Sequence, residues 1–208
     1  LESLKKGLPN LKRHVQNIKQ FGLQIIVAIN HFVTDTDKEI QALKEYCSKL
    51  GVKASLCKHW ADGGNGAKDL ASNVIDLCKK NKKKSFKNLY SDETPILEKI
   101  EKIAKNIYKA KSVEVDEKIK EQIKNIEDAG FKKFPVCIAK TQYSFSTDPK
   151  LKGAPSDHIL QVREVRLSSG AEFIVVICGS IMTMPGLPRT PAADTIKINN
   201  KGEIEGLF

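Results

Sequence analysis

The chain has 208 residues, 40% hydrophobic and 29% charged, which allows one large domain or two small ones and excludes wholesale disorder. Its formal charge is +10, yet the basic residues are nearly all lysines, with arginine only at Arg13, Arg163, Arg166 and Arg189. Dedicated nucleic-acid readers use arginine forks and aromatic platforms, so the charge reads as a solvated surface with positive potential toward small polyanions, and nucleic acid is not an expected partner.

In chain order, "NLKRHVQNIKQFG" places Leu11, Val15, Ile18 and Phe21 at helical spacing and closes on Gly22. "LQIIVAIN" is a continuous apolar run of strand length, the texture of a strand buried on both faces of a parallel sheet. "TDTDKEIQALKEYCSKLG" reads as a helix capped by Thr34, Asp35 or Thr36, with acids in its first turn. "VKASLCKHW" is a second short strand. "GNGAKDLASNVIDLCKKN" is a third helix, with Leu70, Val74, Leu77 and Cys78 on one face. This alternation predicts a βαβ layout with right-handed crossovers.

A lysine-rich break follows, then two amphipathic helices in "PILEKIEKIAKNIYKA" and "VDEKIKEQIKNIEDAGF". These faces lack the aromatic anchors of a membrane surface and read as core packing. Beyond Phe134-Pro135, "FPVCIAK", "ILQVREVRLSSG" and "AEFIVVICGSIMTM" read as strands, and "TIKINNKGEIEGLF" as a hairpin turning at Asn200-Lys201-Gly202. The expected organisation is α/β. A parallel-sheet βαβ region spans 1–80, and a lysine-rich connector with amphipathic helices spans 81–130. A smaller β-rich C-terminal subdomain spans 131–208, the boundary falling near residue 130.

The five cysteines, Cys47, Cys57, Cys78, Cys137 and Cys178, form no CxxC pair and lie in or beside apolar runs. They read as buried free thiols in a reducing, cytoplasmic compartment. The four histidines are not spaced as metal ligands, and no metal site is expected. No apolar run approaches the ~20 residues of a membrane span, so no membrane partner is expected. The N-terminus lacks the apolar block of a signal peptide and an initiator Met, and reads as the interior of a longer chain.

Three stretches could carry chemistry. In "AINHFVTDTD" a buried strand empties into Asn30, His31, Phe32 and then Asp35, much as the base-recognition strand ends in P-loop nucleotide hydrolases, though with a longer Asn-to-Asp gap. The next strand ends at His59-Trp60, the only tryptophan. If the two strands are parallel neighbours, Phe32 and Trp60 emerge at one edge of the sheet, where they can sandwich a flat ring such as a pterin or purine, or else pack on each other as a lid. Gly63, Gly64 and Gly66 follow, permitting close backbone approach and leading into a helix N-terminus that could receive an anion. In "AKTQYSFSTDP", Lys140, Tyr143 and Ser144 could reach a phosphate or carboxylate. In "GSIMTMPGLPRTPAAD", the loop around Met184, Pro185 and Gly186 is either a stiff reversal or a wall for a ligand. No GxxxxGK[ST], GxSxG or HExxH occurs.

The blocks "TDTD", "HWADGGNG", "KTQYSFS" and "IMTMPGLPRTPAA" make almost the whole chain resemble the C-terminal part of formate–tetrahydrofolate ligase, in its bacterial wording. The resemblance implies part of a P-loop-type domain and an ATP-dependent ligase acting with Mg²⁺. That enzyme activates formate as formyl phosphate, and N10 of tetrahydrofolate then attacks the formyl carbon. Phe32 and Trp60 match the residues that hold the folate ring in the family. Asn30, Asp35, Gly63, Gly64, Lys140, Tyr143, Met184, Pro185 and Gly186 form the expected substrate or nucleotide neighbourhood. Catalytic groups are expected in an N-terminal half outside this sequence, so the chain should be inactive alone, and the complete enzyme should be a homo-oligomer. The alternative is a basic, non-catalytic nucleic-acid-binding or assembly module. The sequence departs from the family at "SSGAEF", where Glu172 stands in place of the usual glycine, and it follows the family only loosely over 79–111.

Overall fold

The first helix, α1 (Glu2–Gln20), carries two chemically different faces, and both are used. In this computed structural model, which describes residues 1–80, 86–181 and 189–206, α1 begins upstream of the predicted helix. Leu4 and Leu8 extend the stripe of Leu11 and Val15 by further helical turns, and all four are at least partly buried. The helix runs through Pro9, whose missing N–H leaves the Lys5 carbonyl without its usual partner.

Strand β1 (Ile26–Asn30) pairs in parallel with β2 (Lys53–Cys57), the register running from Ile26 opposite Lys53 to Asn30 opposite Cys57. The helix between them, α2 (Asp37–Lys49), is capped by Thr36, whose hydroxyl accepts from Glu39 N while the Glu39 carboxylate accepts from Thr36 N. Val15, Cys47 and Val52 form the core of this unit, with Leu11, Ile25, Val27, Leu50 and Ala54 around them.

After β2 the chain makes one helical turn, α3 (His59–Asp62), a 3₁₀ turn over Gly63–Ala67, and then α4 (Lys68–Lys80). The stripe of Leu70, Val74, Leu77 and Cys78 is not the buried face the sequence predicts. Val74 is 43% exposed and Cys78 is exposed. The stripe lines an open groove of about 420 Å³ with Leu23, Ile26 and Ala28 of the β1 edge. A polar pin docks α4 instead: buried Asn73 donates to Ser55 Oγ at 2.7 Å and accepts from Lys53 Nζ.

The second unit contains α5 (Ile96–Ile103), β3 (Ser112–Glu114), α6 (Glu117–Ile126), β4 (Val136–Ala139), β5 (Ile159–Ser168) and β6 (Phe173–Cys178). Its sheet order is β3-β5-β6-β4, with β5–β6 antiparallel and the other two pairs parallel. Alternate β5 residues Leu160 and Val162 meet Ile96, Ile100, Ile119, Ile123, Ile174 and Val176 in one apolar cluster, so the two amphipathic helices share a core with the strands that follow them. Lys99 lies inside this region with no exposed surface. Its ammonium donates to the carbonyls of Lys132 (2.7 Å) and Phe134 (3.0 Å), and burial lowers its pKa. A hairpin of β7 (Lys197–Ile198) and β8 (Ile204–Glu205) comes near the C-terminus.

The fold is thus α/β, with a parallel pair and a mixed sheet, as the sequence predicts. Among the described residues no helix is long and apolar enough to cross a membrane, and no His/Cys/Asp/Glu group could hold a metal ion. Cys47, Cys57 and Cys178 are buried free thiols, but Cys78 and Cys137 are exposed. Cys78 faces the open groove, and Cys137 sits at an outward position of β4.

The opposite face of α1 joins the two units through polar contacts. Arg13 donates to the carbonyls of Tyr108 (3.3 Å), Pro155 (3.2 Å) and Ala154 (3.2 Å). Asn17 donates to Ile107 O at 3.0 Å, and Gln20 to Asn106 O at 3.1 Å. Arg13 and Asn17 are both buried.

Two outcomes test this description. Glu172 holds φ +57°, ψ +41°, a left-handed conformation that suits glycine and strains a side-chain-bearing residue. Glu172→Gly should therefore stabilise the chain by about 1 kcal/mol, read as a higher denaturant midpoint. The second outcome concerns His158, whose pKa is lowered by burial and then by Lys140 and Arg13, against a weaker opposite effect of Asp157. The unfolded chain then binds the proton more readily, so stability is complete above about pH 6.5 and falls as pH drops below it. The loss of melting temperature between pH 7.5 and 5.5 should shrink in His158→Gln.

Candidate functional site

The C-terminal ends of β1 and β2 lie side by side because the strands are parallel and in register, and the ladder continues one step further with His31 N donating to Cys57 O at 3.0 Å. Phe32 follows immediately, in a turn closed by Asp35. The Asp35 carboxylate accepts from Phe32 N at 2.8 Å, and Asp35 N donates to Phe32 O at 3.0 Å. Asp35 is therefore committed to shaping the loop that presents Phe32.

Trp60 is not at a strand end, as the sequence predicts, but in the short helix α3, because the chain turns directly after Cys57. The indole is nevertheless brought back to β1: its Nε1 donates to His31 O at 2.7 Å. Phe32 is 56% exposed and Trp60 55% exposed. Among the described residues the two rings do not form a stacked or tilted pair. They stand near one sheet end as open apolar surfaces, where a lid would have sealed them together. Asn30, the last residue of β1, is exposed beside them.

The glycine turn sets where the tryptophan stands. Lys58 N donates to Gly66 O at 3.1 Å, folding the turn back onto the end of β2. A Cβ on Gly66 would lie 2.4 Å from the Lys58 carbonyl carbon and 2.6 Å from its oxygen. Gly63 has φ +55°, whereas Gly64 is in open space with no such demand. Of the three glycines, Gly66 is required by close approach and Gly63 by backbone conformation.

Lys140 and Tyr143 lie on the loop after β4, which packs against α1, with His14 and Phe145 ring centroids 4.8 Å apart. The Lys140 ammonium donates to Thr141 O at 3.1 Å and to Ser144 O, and stands 4.8 Å from the Tyr108 ring centroid. Burial lowers the Lys140 pKa and pushes the Tyr108 hydroxyl up to about 12. Tyr143 is 60% exposed, its ring 4.8 Å from Lys152 Nζ. Met184, Pro185 and Gly186 lie outside the described residues.

Sequence reading passed over Asn10 and His14, which face the Lys140 loop, and over Arg13 and His158 close by. The available signal was the spacing of Asn10, His14 and Asn17 down one side of α1, which looks the same in a solvated helix.

Gly66→Ala should displace the turn that carries Trp60. The expected result is a red-shifted and weakened emission from the only tryptophan, together with a loss of about 2 kcal/mol in stability measured by urea unfolding.

A family profile described as formate–tetrahydrofolate ligase matches residues 1–208. The chain is 65% identical over 208 residues to the formate–tetrahydrofolate ligase of Pelagibacter ubique (strain HTCC1062), covering 100% of this chain and 37% of that protein. It is 57% identical over 206 residues to the ligase of Hyphomonas neptunium (strain ATCC 15444), and 55% identical over 206 residues to that of Ruegeria pomeroyi (strain ATCC 700808 / DSM 15171 / DSS-3). Each of these alignments covers 99% of this chain and 37% of the relative. The chain thus spans a little over one third of the length of the curated relatives it matches. With the profile covering every residue and the identity this high along the whole length, the chain belongs to the formate–tetrahydrofolate ligase family.

Proposed function

We propose that this chain supplies the folate-ring site of a formate–tetrahydrofolate ligase, with Phe32 and Trp60 holding the planar heterocycle between them. The observation that carries this reading is the pair of half-exposed rings at the ends of two parallel, in-register strands, with the indole tethered to His31 O and not packed on the phenyl ring. Ligands of open α/β sheets bind at the carboxyl ends of strands, and stacking on an aromatic face is worth about 0.5–1.5 kcal/mol beyond the area buried. The tether fixes the indole plane before the ligand arrives, which reduces the ordering cost of binding.

In the complete enzyme the reaction is the joining of formate to tetrahydrofolate. Formate takes the terminal phosphoryl group of ATP to give formyl phosphate and ADP. The N10 amine then attacks the formyl carbon, and phosphate leaves, giving 10-formyltetrahydrofolate. This sequence has no GxxxxGK[ST] loop to cradle a triphosphate, so we assign the triphosphate of ATP and its Mg²⁺ to other parts of the enzyme. Alone, the chain binds the ring and does not turn over. Three buried free thiols support a reducing, cytoplasmic setting. The open groove beside β1 supports further association, consistent with a homo-oligomeric complete enzyme.

Trp60 is the only tryptophan, so its fluorescence reports this site alone. Adding a reduced folate to the folded chain should quench and shift that emission, and Phe32→Ala should weaken the effect about tenfold in ligand concentration. Unchanged emission at saturating folate would remove the reading. In a complete enzyme, Trp60→Ala should raise the folate Kd by about tenfold or more while leaving ATP affinity unchanged. Equal losses for both substrates would contradict the assignment.

A further inference from the structure

We propose that the hollow between α1 and the Lys140–Phe145 loop is a binding site for a phosphate-type oxyanion, separate from the ring site and independent of the reading given to Phe32 and Trp60. The hollow encloses about 170 Å³ and is bordered by Asn10, His14, Lys140, Thr141 and Ser144, with the rings of Tyr108 and Phe145 as walls. That space takes a phosphate group.

The charge balance points to an anion. Lys140 borders the hollow, and Arg13 and Lys140 lie close enough to His158 to disfavour its protonation. His14 borders it too, but burial lowers its pKa, so it offers a ring N–H and not a charge. Among the described residues no Asp or Glu lines the hollow. None of the ion pairs among the described residues includes Arg13 or Lys140. Among the described residues Asp157 is the carboxylate that acts on His158, and it is exposed. Arg13 is held by main-chain carbonyls, and so is Lys140. A part-buried ammonium with only neutral partners retains its net charge in a medium that screens it weakly. It also retains one N–H beyond the two it gives to Thr141 O and Ser144 O.

The polar lining matches a protonated tetrahedral oxyanion. The hydroxyls of Thr141 and Ser144 are buried with their residues, and Asn10 Oδ1 is buried with no hydrogen-bond partner. Hydrogen phosphate carries P–O acceptors for the ammonium and the Thr141 hydroxyl, and a P–OH donor for the amide oxygen. Acetate offers no donor. The loop is fixed before any ligand arrives. Ser144 Oγ and Ser146 Oγ are 2.9 Å apart, Ser146 N donates to Ser144 Oγ at 2.9 Å, and Ser146 Oγ donates to Asp148 O at 3.1 Å.

The test is thermal unfolding and isothermal calorimetry of this chain with inorganic phosphate, against potassium chloride and potassium acetate at matched ionic strength. Phosphate is expected to raise the melting temperature in a saturable way and to release heat on binding, since a ligand of the folded state alone stabilises it. Lys140→Met, which keeps the aliphatic stem, should weaken phosphate binding by about tenfold or more, as for loss of a charge-assisted hydrogen bond. Because Lys140 also holds two carbonyls, a second variant removes a group from the exposed rim: His14→Gln should weaken binding about threefold while keeping the melting temperature in chloride. A phosphate response no larger than that of chloride would overturn the proposal. Phosphate affinity unchanged in both variants would overturn it too, and an equal response to acetate would overturn the choice of a tetrahedral anion.

Discussion

The structure depends first on α1 being buried on both sides by different physics. One side gives Val15 and Leu11 to the core of the parallel pair, where area removed from water supplies the stabilisation. The other side gives Arg13 and Asn17 to the main-chain carbonyls of the second unit, where directional hydrogen bonds fix orientation. Arginine suits this role because its planar fork reaches three carbonyls at once and stays charged, with its guanidinium 5.4 Å from the Phe145 ring centroid.

The ring site depends on a second constraint, the close approach at Gly66. Parallel register brings the chain ends after β1 and β2 together, but the indole reaches His31 O only because the glycine turn folds onto Lys58. The Asp35 turn does the same for Phe32 from the other strand. Two local backbone devices thus hold two large apolar rings at the surface, where the hydrophobic effect alone would bury them. Keeping both residues more than half exposed is a cost to the isolated fold, one that the proposed stacking on a flat ring would recover.

Much of the architecture was legible. The continuous apolar run at Leu23–Asn30 and the glycines at helix ends were enough for a βαβ order, and "ILQVREVRLSSG" was enough for a strand, whose alternating burial the structure supplies. The capping box at Thr36 selected one of three candidate caps, which a sequence cannot rank because the choice rests on where the chain turns. The α4 stripe misled because periodicity reports which residues share a face, not whether anything covers that face. Asn73 and Ser55, which dock the helix, carry no apolar signal at all.

The sequence by itself determined the strand and helix order of the first unit and the place of Phe32 just beyond β1, which follow from local periodicity and composition. The family was legible only as a resemblance of its motif blocks. Tertiary structure alone decided that Trp60 turns back to His31, that Gly66 and not Gly64 is sterically required, and that α4 leaves a groove open. It also decided that Asn10, His14 and Lys140 converge on one hollow although they lie far apart along the chain. Convergence of that kind is set by how α1 packs against a loop that the chain reaches only after both units are traced, and no periodicity within either segment encodes it.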